Sequence, residues 1–563
     1  MEIFKKEILK QLKKALTLTE QQLSSLLETP PEPHLGDFAF PCFSLSKQFK
    51  QSPAQIAESI LPKLSTNQYI EKIEQKQAYL NFFINKSTLA TITIKEILKN
   101  KHYGKTKIKK QRILIEYPSP NTNKPLHLGH VRNILLGQSL SNLLKFQGHQ
   151  VFQVSLNNDR GIHICKSMLA YKLYGNNKKP NKKSDHFVGD FYIKFAIEAA
   201  NNPSLEQQAQ DMLLKWENKD LETIKLWKLM NQWALKGFQE TYKKFNLKFN
   251  KQYYESQIYQ QATPLIHKAL KQGIFEKDEK GNIIANLETY NLGKKVILRA
   301  DGTSIYITQD IALAKLKEQQ FHPNISIHIV ASEQDYHFKV LFKVLSLLNF
   351  STHNLYHLSY GMVYLPEGKM KSREGNVVDA DNIIDELLSL SKETLEEKHP
   401  GLSKNELSKR SKIISMAALR FFILKFNPQQ DFTYYPEQSL SFEGDTGPYI
   451  LYTYARIQSI LKKAKFPKKA YYSYLTEQSE KQLLTQLTQY PNIIQQASEK
   501  YRISLLCNYL IDLCKTFNSI YHELPILKST KEIQAARLHL LKSTSIVISS
   551  SLSILGIETL NEM

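Results

Sequence analysis

Two histidines in a loop rich in proline and asparagine are the first residues whose types and spacing suggest chemistry. His127 and His130 bracket Gly129 where a helical pattern begins, and Lys124 precedes them. The start of a helix favours phosphate, because its backbone N–H groups and its dipole both attract anions. The glycine lets a nucleotide approach the backbone closely. Two histidines at this spacing could also be half of a metal site, but no acidic or cysteine ligand stands nearby, so we predict a phosphate site and no bound metal.

A cationic loop much later in the chain is the second chemical motif. Residues 368–376 read Gly-Lys-Met-Lys-Ser-Arg-Glu-Gly-Asn, which brings Lys369, Lys371 and Arg373 close together. Clustered cations can stabilise the charge that develops on a departing phosphate group. A charged loop is more often only a solvated surface segment. The interpretation therefore depends on the pairing of this loop with the histidine motif.

The segments around the histidine motif predict a parallel sheet. Residues 113–115 form a short apolar run, residues 131–146 have helical periodicity that ends at Gly148, and residues 150–156 form a second strand. Such a β-α-β unit implies a doubly wound α/β domain of Rossmann type. Its ligand is expected beyond the carboxyl ends of the strands.

The rest of the chain predicts three domains, because one hydrophobic core rarely organises as many as 563 residues. A strand-like run at 78–84 follows an amphipathic first helix and indicates a small α+β domain. Helical apolar spacing after residue 407 indicates a bundle. Further strands of the central sheet are expected at 305–307 and 325–330. The predicted domains are 1–104, α+β; 105–405, the Rossmann-type domain with a helical insertion at about 167–292; and 406–563, all-α.

Charge and cysteine usage restrict the partners and the compartment. Lys and Arg number 75 against 53 acidic residues, a net charge of +22, so a polyanion is the expected macromolecular partner. A general lysine bias of the source organism is the plainer alternative. The four cysteines form no Cys-x-x-Cys pair, which argues against a zinc ribbon and disulfides and favours a reducing cytoplasm. No stretch approaches the roughly 20 apolar residues of a membrane span.

The two motifs together resemble the HIGH and KMSKS elements of class I aminoacyl-tRNA synthetases. The second element reads Lys-Met-Lys-Ser-Arg, so Lys371 stands where the class pattern has serine and Ser372 where it has lysine. Arginyl-tRNA synthetases resemble this chain in lacking that second lysine. A lysine upstream of the first motif is thought to replace it in that family, and Lys124 is the matching residue.

The resemblance to arginyl-tRNA synthetases covers nearly the whole chain. It is carried by residues 36–39, 79–81, 119–121, 158–161, 301–306, Asp310, 331–335, 444–456, 517–518 and 555–557. It implies an enzyme that activates arginine with ATP and joins it to tRNA(Arg). The implied enzyme is a cytoplasmic monomer whose N-terminal domain binds the tRNA elbow and whose C-terminal bundle binds the anticodon. ATP brings Mg²⁺ with it, and no zinc is implied.

The resemblance also implies which residues hold arginine. A guanidinium is a planar, permanently charged fork of donors, so a selective site needs carboxylates held in its plane. Asp310 and Glu116 are the candidates, with Tyr306 beside them. Without the resemblance, Asp310 could equally cap a helix, and Tyr306 would be a core strand residue. The residues implied for the α-amino and carboxylate end are Ser119, Pro120, Asn121, Gln334 and the nearby His130.

The remaining site residues follow from the same resemblance. Tyr79 and Asn81 pair a stacking face with an amide that can read a base, although an ordinary edge strand is the alternative. Aromatic residues beside an arginine in the C-terminal domain suit splayed anticodon bases, or they belong to the bundle core. The residues expected to contact ATP are His127, Gly129, His130, Lys369 and Met370. The residues expected to assist catalysis are His127, His130, Lys124, Lys369, Lys371 and Arg373. The residues expected at the anticodon are Tyr449, Tyr452, Tyr454 and Arg456.

Two other functions compete with arginine ligation. A class I synthetase for cysteine, glutamine or glutamate would share both motifs. The lack of zinc ligands opposes cysteine, and the paired acids Asp310 and Glu116 would repel an acidic substrate. A catalytically inactive RNA-binding paralogue is the second alternative, and the intact motifs oppose it.

Overall fold

The N-terminal part of the chain builds a small α+β unit. The computed structural model describes residues 1–106, 108–366 and 378–563. Three antiparallel strands lie in the order β1-β3-β2, so β3 is the central strand of this sheet. The elements are α1 (Glu2–Ala15), α2 (Glu20–Leu26), β1 (Phe38–Pro41), α3 (Ser46–Phe49), α4 (Pro53–Ile60), β2 (Ile70–Lys76), β3 (Tyr79–Ile84) and α5 (Lys86–Lys99).

The middle part of the chain contains the remaining strands except one short strand near residue 432. Its elements are β4 (Arg112–Glu116), α6 (Leu128–Gln147), β5 (Gln150–Asn157), α7 (Ile162–Tyr174), α8 (Ser184–Asn201), α9 (Ser204–Glu217), α10 (Leu221–Lys244), β6 (Lys251–Tyr254), α11 (Glu255–Ile258), α12 (Thr263–Lys271), β7 (Glu276–Lys277), β8 (Ile283–Asn286), β9 (Lys294–Leu298), α13 (Tyr306–Phe321), β10 (Ile325–Ala331), α14 (Asp335–Leu347), β11 (Leu355–Tyr360), β12 (Val363–Tyr364) and α15 (Ala380–Lys398).

The central sheet is parallel and five-stranded, in the order β11-β10-β4-β5-β6. Its inner strand β4 is apolar and fully buried over residues 113–115, as a strand covered on both faces must be. α6 connects β4 to β5, and it ends where Gly148 takes a left-handed conformation with φ of 102°. The predicted Rossmann-type parallel fold is confirmed.

Two features differ from the sequence expectations. Three strands lie within 167–292, where we predicted helices: β6 belongs to the central sheet, and β7 and β8 pair antiparallel outside it. β6 is an edge strand only four residues long and reads Lys-Gln-Tyr-Tyr. The strand predicted at 305–307 is wrong, because α13 begins at Tyr306. Ile307 and Ile311 stand four residues apart and are both buried, which is helical spacing.

The C-terminal part of the chain is helical. Its elements are α16 (Lys404–Leu424), β13 (Phe432–Thr433), α17 (Pro436–Ser439), α18 (Gly447–Lys462), α19 (Gln478–Glu499), α20 (Ser504–Glu523) and α21 (Lys531–Leu555). We expected no segment long and apolar enough to span a membrane. By length and composition alone, α21 is long and apolar enough to do so. Of its 18-residue apolar window, 72% is buried inside the protein, as in a core helix.

The C-terminal end of α21 packs on the middle of α6. The Ser139 hydroxyl donates to the Leu555 carbonyl at 3.3 Å, and the Asn142 amide donates to the Ile554 carbonyl at 3.2 Å. The Arg420 guanidinium donates to the Leu555 carbonyl at 3.4 Å as well. One continuous hydrophobic core runs from Phe4 in α1 to Leu560 beyond α21. The three parts of the chain therefore share one core.

Candidate active site

The two motif histidines form a tight pair at the start of α6. His127 is the N-cap residue of that helix, and its Nδ1 accepts the Gly129 N–H at 3.2 Å. The Nδ1 atom of His130 accepts the His127 N–H at 3.2 Å, and the two ring centroids lie 4.0 Å apart. A neutral ring whose Nδ1 accepts must carry its proton on Nε2. Each ring therefore offers an Nε2–H donor.

Both histidines are held neutral. Burial, with a smaller effect of the Lys124 cation, lowers the pKa of His127 to about 3. Burial and the neighbouring His127 lower the pKa of His130 well below its usual value. Neutral imidazoles beside the positive end of a helix can donate hydrogen bonds to an anion without the cost of burying more charge.

Residues 378–380, which follow the cationic loop in the chain, form backbone hydrogen bonds with the histidine motif. The Leu128 N–H donates to the Val378 carbonyl at 3.1 Å, and the Ala380 N–H donates to the Leu126 carbonyl at 2.9 Å. Asp379 pairs with His127 across this short antiparallel bridge. The expected loop residues, Lys369, Met370, Lys371 and Arg373, lie outside the described residues.

The residues expected at the amino and carboxylate end of the substrate gather at one edge of the sheet. Ser119, Pro120 and Asn121 follow the carboxyl end of β4. The backbone of Asn158, just after β5, pairs with this segment, and its N–H donates to the Pro120 carbonyl at 3.0 Å. Gln334 follows the carboxyl end of β10, the other neighbour of β4. Because parallel strands end together, these residues share one edge of the sheet.

Asp310 and Tyr306 lie on the first turns of α13. Tyr306 is 71% exposed, so it is not a core residue. Asp310 lies inside the helix and is not its N-cap, which is Ile305. The Asp310 carboxylate meets the Nε2 atom of His337 in α14 at 2.6 Å. Asp310 therefore has its carboxylate fixed from a second helix.

Glu255 is a candidate site residue that the sequence analysis did not name. It is the first residue of α11, directly after β6, and it is 4% exposed. Burial and then the Glu255 charge raise the pKa of Tyr306, which places the two groups in one electrostatic environment. Burial raises the pKa of Glu255 to about 7, and the Arg160 cation, 3.8 Å away, opposes that rise. Its position after a strand of the sheet was the signal, but β6 was hidden among predicted helices.

Glu116 has a partner within the protein. Its buried carboxylate forms an ion pair with the Lys317 ammonium of α13, and His328 Nδ1 lies 3.6 Å away. Glu116 and Asp310 both border a cavity of about 590 Å³ between α13, α14 and the sheet. The Lys317 ammonium contacts the Glu116 carboxylate directly, whereas the Arg160 guanidinium lies 3.8 Å from that of Glu255, so Glu116 is the less suited of the two to pair with a cationic ligand.

The two ends of the chain differ in how they present the residues expected to bind RNA. Tyr79 and Asn81 border a pocket of about 290 Å³ together with Pro30 and Pro31. Asn81 is 5% exposed. The edge-strand alternative is wrong, because β3 is the central strand of its sheet.

The aromatic residues of α18 divide between two faces. Arg456 is sandwiched between Tyr452 and Tyr521, with its guanidinium 4.7 Å and 4.4 Å from the two ring centroids. Tyr449 joins this face through Asn518. The Asn518 amide donates to the Tyr449 hydroxyl at 2.9 Å, and its side-chain oxygen accepts from the Arg456 guanidinium at 2.5 Å. Tyr454 is 9% exposed and packs in the core, as the bundle-core alternative held.

Comparison with known proteins gives matches along the whole chain. The family described as "tRNA synthetases class I (R), catalytic domain" matches residues 93–435. The "Arginyl tRNA synthetase N terminal domain" matches residues 2–84, and the "DALR anticodon binding domain" matches residues 450–563.

Individual proteins agree with the family matches. The chain is 44% identical over 557 residues to the arginine–tRNA ligase of Treponema denticola, covering 95% of this chain and 94% of that protein. It is 40% identical to the arginine–tRNA ligase of Bacteroides thetaiotaomicron, with 94% of each covered. The fold is similar to that of the Thermus thermophilus arginyl-tRNA synthetase, with a TM-score of 0.82 and 23% identity over 99% of this chain and all of the other.

Proposed function

The chain belongs to the arginyl-tRNA synthetases, and on that premise we propose which of its residues carry each step of the reaction. It is an arginine–tRNA ligase. Such an enzyme forms arginyl-adenylate and pyrophosphate from L-arginine and ATP, and then transfers the arginyl group to the 3′-terminal adenosine of tRNA(Arg). The assignment of individual residues rests chiefly on the neutral histidine pair at the start of α6.

The histidine motif receives ATP in this proposal. The Nε2–H groups of His127 and His130 donate to the phosphates or to the oxygen between them, and Gly129 leaves room for the nucleotide. Lys124 adds a fixed cation beside the pair. We retain Lys369, Met370, Lys371 and Arg373 as the partners of the departing pyrophosphate, on the motif alone. Mg²⁺ enters with ATP as part of the substrate, and we propose no zinc.

Three residues around the start of α13 receive the guanidinium. Asp310 and Glu255 supply carboxylates from two directions, and the Tyr306 ring covers the exposed side. A guanidinium cation favours the charged form of both acids, so arginine binding offsets the burial of Glu255. Glu255 replaces Glu116 in this role, because Lys317 contacts Glu116 directly while Arg160 lies 3.8 Å from Glu255.

The reactive end of arginine lies at the edge of the sheet near His130. Ser119, Asn121 and Gln334 supply hydroxyl and amide groups for the α-amino and carboxylate groups, and Pro120 holds the turn between the first two. The arginine carboxylate attacks the α-phosphorus in line with the departing pyrophosphate. No protein nucleophile is needed, so catalysis consists of positioning and charge stabilisation.

The ends of the chain receive tRNA. Tyr79 and Asn81 take an exposed base of the tRNA elbow in the N-terminal domain, residues 1–104. In the C-terminal domain, residues 406–563, the bases of the anticodon stack on the face formed by Tyr449, Tyr452 and Arg456. Residues 105–405 form the catalytic domain between them. We propose that the enzyme acts as a monomer in the cytoplasm.

Pyrophosphate exchange tests the residue assignments and the amino-acid specificity together. Purified protein is assayed with each of arginine, lysine, glutamine and glutamate, with and without tRNA(Arg). Of the four amino acids, only arginine is expected to support exchange. In this family tRNA is typically required before arginine is activated, so exchange is expected to be nearly silent without tRNA. Exchange with glutamine or glutamate would contradict the assignment of the two carboxylates.

A further inference from the structure

Helix α8, one of the four helices between β5 and β6, packs on the loop before the histidine motif. Gly189 of α8 lies so close to Pro125 that an added Cβ would come within 2.7 Å of the proline Cδ. Such a distance is well inside van der Waals contact, so only glycine permits this approach. The α8 backbone is therefore seated directly on the segment that leads to His127.

The same helix also reaches the chain beyond the cationic loop. His186, about one turn before Gly189, has its Nε2 atom 3.3 Å from Asp379 Oδ2 and 3.4 Å from Asp381 Oδ2. Asp379 is the N-cap residue of α15, and its side chain accepts the Asp381 N–H at 2.8 Å. The hydrogen bond to Asp381 raises the pKa of His186, which strengthens the attachment when the ring is charged.

Two lysines also attach α15 to α8 and α10 through Asp381. The Lys183 ammonium lies 2.7 Å from Asp185 and 2.8 Å from Asp381, and Lys244 of α10 lies 3.0 Å from Asp381. The Thr241 hydroxyl also donates to Asp381 at 3.0 Å. Oxygen and nitrogen atoms of Asp185, His186 and Asp381 cluster as metal ligands do. Here Lys183 supplies the cation, so the cluster is a closed ion-pair network and not a metal site.

These contacts hold Asp379 from two sides. Its backbone pairs with His127 across the short bridge, and its carboxylate meets His186. Asp379 stands two residues beyond the segment 367–377, which carries the cationic motif. The position of Asp379 relative to the histidine pair is therefore held both by the backbone bridge and by α8.

We propose that His186 is a positioning residue for adenylate formation, which holds Asp379 and the start of α15 in register with His127 and His130. The inference rests on the proposed ATP-binding role of those histidines. Its effect falls on turnover, because small misplacements of groups that meet charge developing in the transition state slow the chemical step. Arginine binding takes place at α13 and is not expected to change.

Substitutions at His186 separate positioning from folding. His186→Ala, His186→Gln and the control Glu198→Gln, which alters an exposed ion pair on the same helix, are compared in tRNA-dependent pyrophosphate exchange. His186→Ala should lower kcat about tenfold or more, as outer-shell partners of an active site typically do, and leave the arginine KM within about twofold. His186→Gln should recover much of the loss, since its amide can donate to Asp379. The control should match the parent protein.

A double-mutant cycle tests the pair directly. Asn caps a helix as well as Asp does, so Asp379→Asn keeps the start of α15 and removes only the charge. The variant His186→Ala with Asp379→Asn should lose no more kcat than the worse single variant, because both substitutions disrupt one contact. Fully multiplicative losses would overturn the proposal, and so would full activity in His186→Ala or a loss explained by its melting temperature alone.

The proposed ATP site has a separate test. His127→Asn should greatly reduce exchange if the histidine pair receives ATP. If that variant is fully active, the proposed ATP site itself fails. If His127→Asn is inactive while every His186 variant is active, the ATP site stands and the positioning role of His186 is wrong.

Discussion

Asp310 and His337 join two helices at the proposed arginine site, since the carboxylate oxygen of the first lies 2.6 Å from Nε2 of the second. The contact fixes the Asp310 side chain before a substrate arrives. A preorganised carboxylate discriminates among ligands more sharply than a flexible one, because less side-chain entropy is lost on binding. This relationship makes Asp310 the first residue to test.

Asp310→Ala should weaken arginine binding selectively. Leaving the guanidinium without this carboxylate costs about 3 kcal/mol or more, which is on the order of a hundredfold in the arginine KM. The ATP KM should change little. Steady-state exchange rates at saturating tRNA measure both constants. An unchanged arginine KM would remove Asp310 from the site.

Glu255 should make arginine use depend on pH. Burial raises its pKa to about 7 in the free protein, so the carboxyl is protonated below that pH and cannot pair with a cation. The arginine KM should therefore fall as pH rises from about 6 to about 8, the range in which the carboxylate forms. Glu255→Gln should have a higher KM and a flatter profile. Parallel profiles in the two proteins would contradict the assignment.

Lys369 should act on the transition state. Its motif resembles loops that meet charge on the departing pyrophosphate, and such contacts raise kcat without tightening ground-state binding. Lys369→Ala should lower kcat and leave ATP affinity nearly intact, as measured by exchange kinetics and by direct ATP titration. An equal loss of affinity would make Lys369 a ground-state binder instead.

Arg456→Ala and Asn81→Ala should weaken aminoacylation through tRNA. Each removes a group proposed to contact a base, so the tRNA KM should rise while the arginine and ATP constants stay constant at saturating tRNA. Tyr454→Phe is the matched control, because Tyr454 packs in the core. Anticodon-altered tRNA should abolish the difference between parent and Arg456→Ala. Equal effects of Arg456→Ala and Tyr454→Phe would contradict the assigned face.

Gly137→Ala should destabilise the protein. A Cβ at Gly137 in α6 would lie 2.3 Å from the ring of Tyr117, which is fully buried. Overpacking of this kind costs about 1–3 kcal/mol, so the thermal unfolding midpoint should fall. Gly401→Ala is the control, because the space around Gly401 is open. Equal midpoints for the two variants would show that Tyr117 can move aside.

Local patterns explain which parts were predictable from sequence. β4, α6 and β5 follow from apolar runs and the closing Gly148, since each signal lies within the element itself. We expected Tyr454 at the anticodon with its neighbours, although helix geometry separates them: Tyr452 and Arg456 stand four residues apart, and Tyr454 lies between them on another face. These features depend only on helix and strand geometry.

Long-range pairing explains what was not predictable. Lys317 neutralises Glu116 from 201 residues away, and His337 reaches Asp310 from the next helix. Neither partner is marked by spacing or residue type. β6 is too short and polar to carry a strand signal, so Glu255 at its end could not be distinguished from other acids. Burial and pairing across the fold decide which carboxylate serves a ligand.

The contact between α6 and the end of α21 limits how this protein can be rebuilt. A chimaera that takes its anticodon bundle from a relative would bring foreign backbone onto Ser139 and Asn142, and the shared core would have to refit. The C-terminal domain is therefore poorly suited to being exchanged between relatives as an independent unit. A successful graft would have to carry the facing half of α6 with the bundle, including residues within the same helix that begins at His127.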